Sequence, residues 1–332
     1  MTTTRTVLRA VFWGLVAGAV AAGGCASSTT AGGGPPEIAT IADPAPYMIV
    51  RGSDGSTVSR DTLAKACAEA DAVLIGENHG HPLGLAVAAD LWRDMLARST
   101  HAALAMEFFE RDQQTALDDY LAGITDEAAF QKASGRNPGN YPEGHRAMVE
   151  AAKAAGRPVV AANAPRRYVR LARLDGYDRL RGLTPEQSRL VRLPDAMPGG
   201  RYYDEFVKVM TAMKNDPATG EAVPGDPPGP EQLERINATF RSQATWDWTM
   251  AESVARTLDA GHRPVALVIG RFHVDHDGGT VQALRSLRPW TRVVVVTFVN
   301  RESATLRDID RGRADFVIYV GPDPSEGKPV GR

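Results

Sequence analysis

The chain has 332 residues, is 43% hydrophobic and 23% charged, and sets 38 Lys+Arg against 40 Asp+Glu for a formal charge of −2. That composition is globular and excludes a collagenous, coiled-coil or wholly disordered protein. Arg residues are interspersed with carboxylates rather than gathered in blocks, which argues against a nucleic-acid binder.

Arg5 and Arg9 precede an apolar run from Val11 to Ala22, and Ala22-Gly23-Gly24-Cys25 follows. A basic start, an apolar core of about 7–15 residues and small residues before a cut make a secretory signal. A cysteine directly after two glycines is placed to take a diacylglycerol. The expectation is a lipoprotein signal over 1–24, lipidation at Cys25 and a lipid-anchored position in the cell envelope. The core falls short of the roughly 20 apolar residues a membrane span needs. Residues 25–46, rich in Ser, Thr, Gly and Pro, read as a lipidated flexible tether. Cleavage would remove Arg5 and Arg9 and leave the mature chain two charges more acidic. Cys67 then has no intrachain partner for a disulfide, so a domain over 47–322 must be held by its core, with 323–332 as a tail.

Along that domain, short apolar runs alternate with helical stretches. The runs are Ala72 to Ile75, Ala103 to Met106, Pro158 to Ala162, Val265 to Ile269, Val293 to Val299 and Phe316 to Val320. Apolar residues at helical spacing mark Leu85 to Ala97, Gln114 to Leu121, Met148 to Ala155 and Ala251 to Leu258. Alternation of this kind predicts a single α/β domain with a largely parallel sheet flanked by helices. The stretch from 180 to 240 holds no convincing strand and reads as a helical insertion, with a Pro/Gly-rich surface loop from Asn215 to Glu231.

Polar residues gather where the runs end. The first run ends in Gly76-Glu77-Asn78-His79, the second in Glu107, the third in Asn163 and the fourth in Gly270-Arg271-Phe272-His273. Ligands of open parallel sheets bind outside the carboxyl ends of the strands. Four separate segments would therefore bring Glu77, His79, Glu107, Asn163 and His273 toward one crevice. Three chemistries suit such a set. His79, Glu107 and His273 are sufficient ligands for a divalent cation such as Zn or Mn; a His and Glu pair can serve as general base and its orienter; His or Tyr can hold haem iron.

These segments, with Leu117-Asp118-Asp119-Tyr120-Leu121, Ala162-Asn163-Ala164-Pro165-Arg166 and Trp246-Asp247, resemble the ChaN family. Its members are haem-binding uptake lipoproteins of a superfamily that also holds the Tiki and TraB proteins and erythromycin esterase. The resemblance runs over about 47–300 in the right order. It implies haem as cofactor, an iron-acquisition role, an outer-membrane haem transporter as partner, and a homodimer enclosing two haems with tyrosine ligation. It also implies that the superfamily's polar pocket falls on Glu77, His79, Glu107 and His273, which serve metal-assisted hydrolysis in the enzymatic branches. Tyr141-Pro142 stands where the family has Trp-Pro, and Gly144-His145 falls where tyrosine is common. The iron-ligand role would pass to His145 or Tyr141, with Tyr202 a further candidate. Arg166, Arg167 and Arg170 suit either haem propionates or a solvated helix face.

Overall fold

Alternating apolar and helical stretches fold into a seven-stranded sheet covered on both sides. The computed structural model describes residues 46–212 and 227–324. The expected signal, Cys25, the tether to residue 45, the stretch 213–226 and the tail from 325 lie outside the described residues. The strands are β1 (Met48–Arg51), β2 (Ala72–Glu77), β3 (Ala103–Glu110), β4 (Val159–Asn163), β5 (Val265–Gly270), β6 (Val293–Val299) and β7 (Phe316–Tyr319), in the spatial order β1-β7-β6-β2-β5-β3-β4. Every pair is parallel except β1 with β7.

The helices are α1 (Arg60–Glu69), α2 (Pro82–Arg98), α3 (Gln114–Leu121), α4 (Glu127–Ala133), α5 (Glu143–Ala154), α6 (Arg166–Asp175), α7 (Asp178–Arg181), α8 (Pro185–Ser188), α9 (Arg201–Thr211), α10 (Pro230–Asp259) and α11 (Gly279–Leu287). Successive strand residues point to opposite faces. Val73 and Ile75 of β2 pack with α1, α2 and α5, whereas Ala72 and Leu74 pack with α10 and α11. Both faces being covered explains why β2 and β5 are buried at every residue and read as continuous apolar runs.

Among the described residues no strand occurs between β4 and β5, where α6 to α10 are placed. The spacing of Ala251 to Leu258 marks only the end of α10, a 30-residue helix that starts on Pro230 at its first turn, a position where proline costs no hydrogen bond. β1 lacks any apolar run long enough to announce it; it pairs antiparallel with β7 at the sheet edge. His81 has a structural role. Its Nδ1 accepts from Gly84 N at 3.1 Å to cap α2, and its Nε2 donates to the Gly321 carbonyl at 3.2 Å. No helix of the described residues is long and apolar enough to cross a membrane.

Cys67 lies buried on α1 without a disulfide, and burial pushes its thiol up to about 12. Because the thiolate is the reactive form, Cys67 should resist a chromogenic disulfide reagent in the native protein and react once guanidinium unfolds it. Rapid labelling without denaturant would show that α1 opens.

Candidate functional site at the strand ends

β2 and β5 are neighbours in parallel, with Glu77 opposite Gly270, so the two Gly-x-x-His turns leave the sheet side by side. Arg271 fastens them, its Nε donating to Asn78 Oδ1 at 2.8 Å and its Nη1 to Asp275 at 2.8 Å. Asn78 in turn donates to the Phe298 carbonyl of β6 at 2.8 Å. Glu107 arrives from β3 at a register shift between Met106 and Glu110, a bulge that re-aims the side chain. Its Oε2 accepts the Gly270 N–H at 2.5 Å, while Asn163 of β4 donates to its carbonyl at 3.1 Å. A Cβ at position 270 would sit 2.9 Å from His79 Nε2; glycine there is what lets the His79 ring approach.

Two hydrogen-bonded groups face each other across this crevice. In the first, Glu77 is 3% exposed and accepts from His145 Nε2 at 2.8 Å and His79 Nδ1 at 3.1 Å. An ionised carboxylate only accepts, so both imidazoles donate. Burial works against the charge on Glu77, yet His145 and His79 outweigh it and hold the carboxyl down at about 2. Glu77, against a smaller effect of burial and helped by Glu107, raises the His79 pKa above its ordinary 6.5. The two imidazoles are placed differently: the His79 side chain is 71% exposed, whereas His145 is 5% exposed.

In the second group, Asp247 of α10 is wholly buried. It accepts from His273 Nδ1 at 2.7 Å, Tyr202 OH at 2.7 Å and Thr280 Oγ1 at 2.8 Å. His273 Nε2 faces Glu107 Oε1 at 3.7 Å. Burial alone would lower the His273 pKa, but Asp247 and Glu107 reverse the effect and raise it. Gly279 is required at the start of α11, because a Cβ there would lie 2.1 Å from Asp247 Oδ2.

The expected residues thus divide. Glu77, His79, Glu107, His145, Asn163 and His273 all line the crevice, which opens into cavities of about 270 and 600 Å³ that share His79, Glu107, Asn163 and Arg166. Tyr141 lies outside both linings, buried and stacked on Phe108 with ring centroids 5.4 Å apart. Burial pushes its phenol pKa well up, away from the tyrosinate that iron prefers. Tyr202 is buried and committed to Asp247, and its pKa is likewise raised by burial and by that carboxylate. His79, Glu107 and His273 are brought together, but among the described residues no group of three His, Cys, Asp or Glu side chains is arranged to hold a metal ion. Asp247 was not read as part of the site from sequence. Its signal is a lone carboxylate in the otherwise buried Asp247-Trp248-Thr249-Met250-Ala251 stretch of α10.

His79 is the imidazole that would hold a haem iron in this crevice. The His79 ring lines both cavities while its Nδ1–H is tied to Glu77, the arrangement in which a carboxylate fixes the tautomer and raises ligand basicity. Phe108, Val169 and Trp246 supply apolar wall in the two cavities.

Fold and crevice together define an α/β protein whose polar chemistry sits outside the carboxyl ends of a mostly parallel sheet. Residues 63–284 match the family described as haem-binding uptake, Tiki superfamily, ChaN, and the chain belongs to that family. Among solved structures it is similar to ChaN of Campylobacter jejuni, described with cofacial haem binding, at 14% identity over 82% of this chain and 96% of that one, with a TM-score of 0.59. It is less similar to the type III effector HopBA1, at 15% identity, 82% and 97% coverage and a TM-score of 0.45. A mutant of the erythromycin esterase EreC in its open conformation matches at 13% identity, 83% of each chain and a TM-score of 0.43. No curated protein matches the chain in sequence.

Proposed function

We propose that this protein binds haem in the strand-end crevice with His79 as the iron ligand, and that it serves haem uptake from a lipid-anchored position at the cell envelope. The observation that carries the site is the exposure of the His79 ring, with Nδ1 held by Glu77. His145 is closer to Glu77 but buried, and both tyrosine candidates are withdrawn from the cavities. Family membership and the resemblance to a cofacial haem protein support haem as the bound molecule. Bound haem would supply an iron centre, and His79 would be the residue that holds it. In this reading Cys25 carries the lipid, a second copy of the chain pairs with the first, and a membrane haem transporter takes the cargo.

The test is a haemin titration followed in the Soret band. His79→Ala should weaken binding tenfold or more and alter the spectrum, whereas Tyr141→Phe should leave both unchanged. A proton on Nε2 competes with iron. Since Glu77 raises the His79 pKa above 6.5, affinity should fall as pH drops through that raised value and level off above it. Binding that is indifferent to His79→Ala, or that improves with acid, would refute the assignment.

A second reading is supported by the Asp247 to His273 hydrogen bond of 2.7 Å with Glu107 on the far side of the ring. A carboxylate that orients an imidazole is the arrangement of a general base, so the crevice has the parts of a hydrolase. His273→Ala should then abolish turnover of ester substrates that the parent protein hydrolyses. A parent protein inactive toward an ester panel would remove this reading.

A further inference from the structure

We infer that Arg166, Arg170 and Arg173 form the edge of the crevice that reads carboxylates, so that the ligand taken is a porphyrin with free propionates rather than a neutral macrocycle. The inference rests on the haem reading above and assigns the residues that select within it. All three arginines line the 600 Å³ cavity, which also exposes His79, Glu107 and His273. They stand at positions i, i+4 and i+7 of α6, one face of the helix, with bases about 6 and 4.5 Å apart along the axis.

What separates them from an ordinary solvated helix face is their lack of acceptors. Among the described residues, Arg170 and Arg173 have no carboxylate within ion-pairing reach, and Arg166 meets only Glu110 at 3.6 Å. Arg167, off that face, is committed to Asp112 at 2.5 Å. Trp246 lines the same cavity, and its indole N–H is buried with no acceptor. Three guanidinium groups and an unmet donor therefore border one cavity. A guanidinium offers paired N–H groups that match a carboxylate. Glu107 on the opposite wall disfavours an anion near His79, so the carboxylates belong at the α6 edge and the apolar macrocycle toward the imidazole.

The experiment titrates the full chain with haemin and with haemin dimethyl ester, which keeps the macrocycle and iron but has no carboxylate. The parent protein should bind haemin at least tenfold more tightly than the ester. The double variant Arg170→Gln/Arg173→Gln should lose that preference by weakening haemin alone, while Arg167→Gln retains it. Added salt should weaken haemin and spare the ester. Equal affinity of the parent protein for both ligands, or a double variant that weakens both alike, would overturn the inference while leaving the haem reading standing. Failure of both ligands to bind would overturn the haem reading, and this inference with it.

Discussion

Replacing Asp247 with alanine is expected to cost about 3–5 kcal/mol of folding stability, the range found when one partner of a buried charged pair is removed. Asp247 is wholly buried and takes hydrogen bonds from His273, Tyr202 and Thr280. Alanine leaves a phenol, a hydroxyl and an imidazole N–H without an acceptor, and each unmet buried donor costs about 1–3 kcal/mol before water enters the vacated space. Tyr202→Phe removes one donor and leaves the carboxylate two others, so its cost should be about 1.5–3 kcal/mol, the worth of a hydrogen bond to a charged group. Urea unfolding of the three proteins checks the order. Asp247→Ala within about 0.5 kcal/mol of the parent, the size of an ordinary surface substitution, would show that this carboxylate does not hold α9, α10 and α11 together.

Glu77→Gln should show the second large effect, on both stability and ligand affinity. The carboxylate is the shared acceptor of His79 and His145, and an amide can satisfy one N–H donor through its oxygen while its NH₂ opposes the other. Haemin affinity should fall roughly 10–100-fold, the usual consequence of removing the partner that orients a ligating histidine. The stability difference has a defined pH window. Glu77 titrates near 2 in the folded protein against an ordinary 4.5. The stabilisation is therefore fully present above 4.5 and lost as pH falls through about 2. Acid titration of parent and variant should show curves that are apart at neutral pH and converge below about 2. Curves that converge already at pH 5 would mean that Glu77 is not held ionised by the two imidazoles.

Parts of this architecture were legible in the residues alone because burial on both faces leaves a continuous apolar run. β2, β5 and β6 show it, and Gln114 to Leu121 is helical at the bounds its spacing indicates. β1 was not legible, since four residues at a sheet edge bury too little to impose a pattern. The first two-thirds of α10 was hidden for a related reason: the helix is polar where it joins the insertion and becomes apolar only against the sheet. At the site, the Gly-x-x-His order at the ends of β2 and β5, with Glu107 at the end of β3, announced the crevice, because parallel neighbours must deliver their ends to one place. Which way a ring faces depends on packing that periodicity does not encode. Tyr141 lies under Phe108 and Tyr202 points to Asp247, whereas His79, offered from sequence as a metal or hydrolytic residue, is the imidazole left open. Asp247, named from sequence only within the Trp246-Asp247 motif, is given no site role there because a carboxylate on a helix reads as surface until the three donors around it are seen. Arg173 joined Arg166 and Arg170 for the converse reason, since seven-residue spacing on α6 is visible but the cavity beneath it is not.

A crystal structure of the protein with haemin bears most directly on the central claim. The account predicts a macrocycle seated in the strand-end crevice, with iron coordinated by Nε2 of His79, Nδ1 still on Glu77, and the propionates against α6. Iron held by the phenolate of Tyr141 or Tyr202, or haem bound away from the carboxyl ends of β2, β3 and β5, would contradict it.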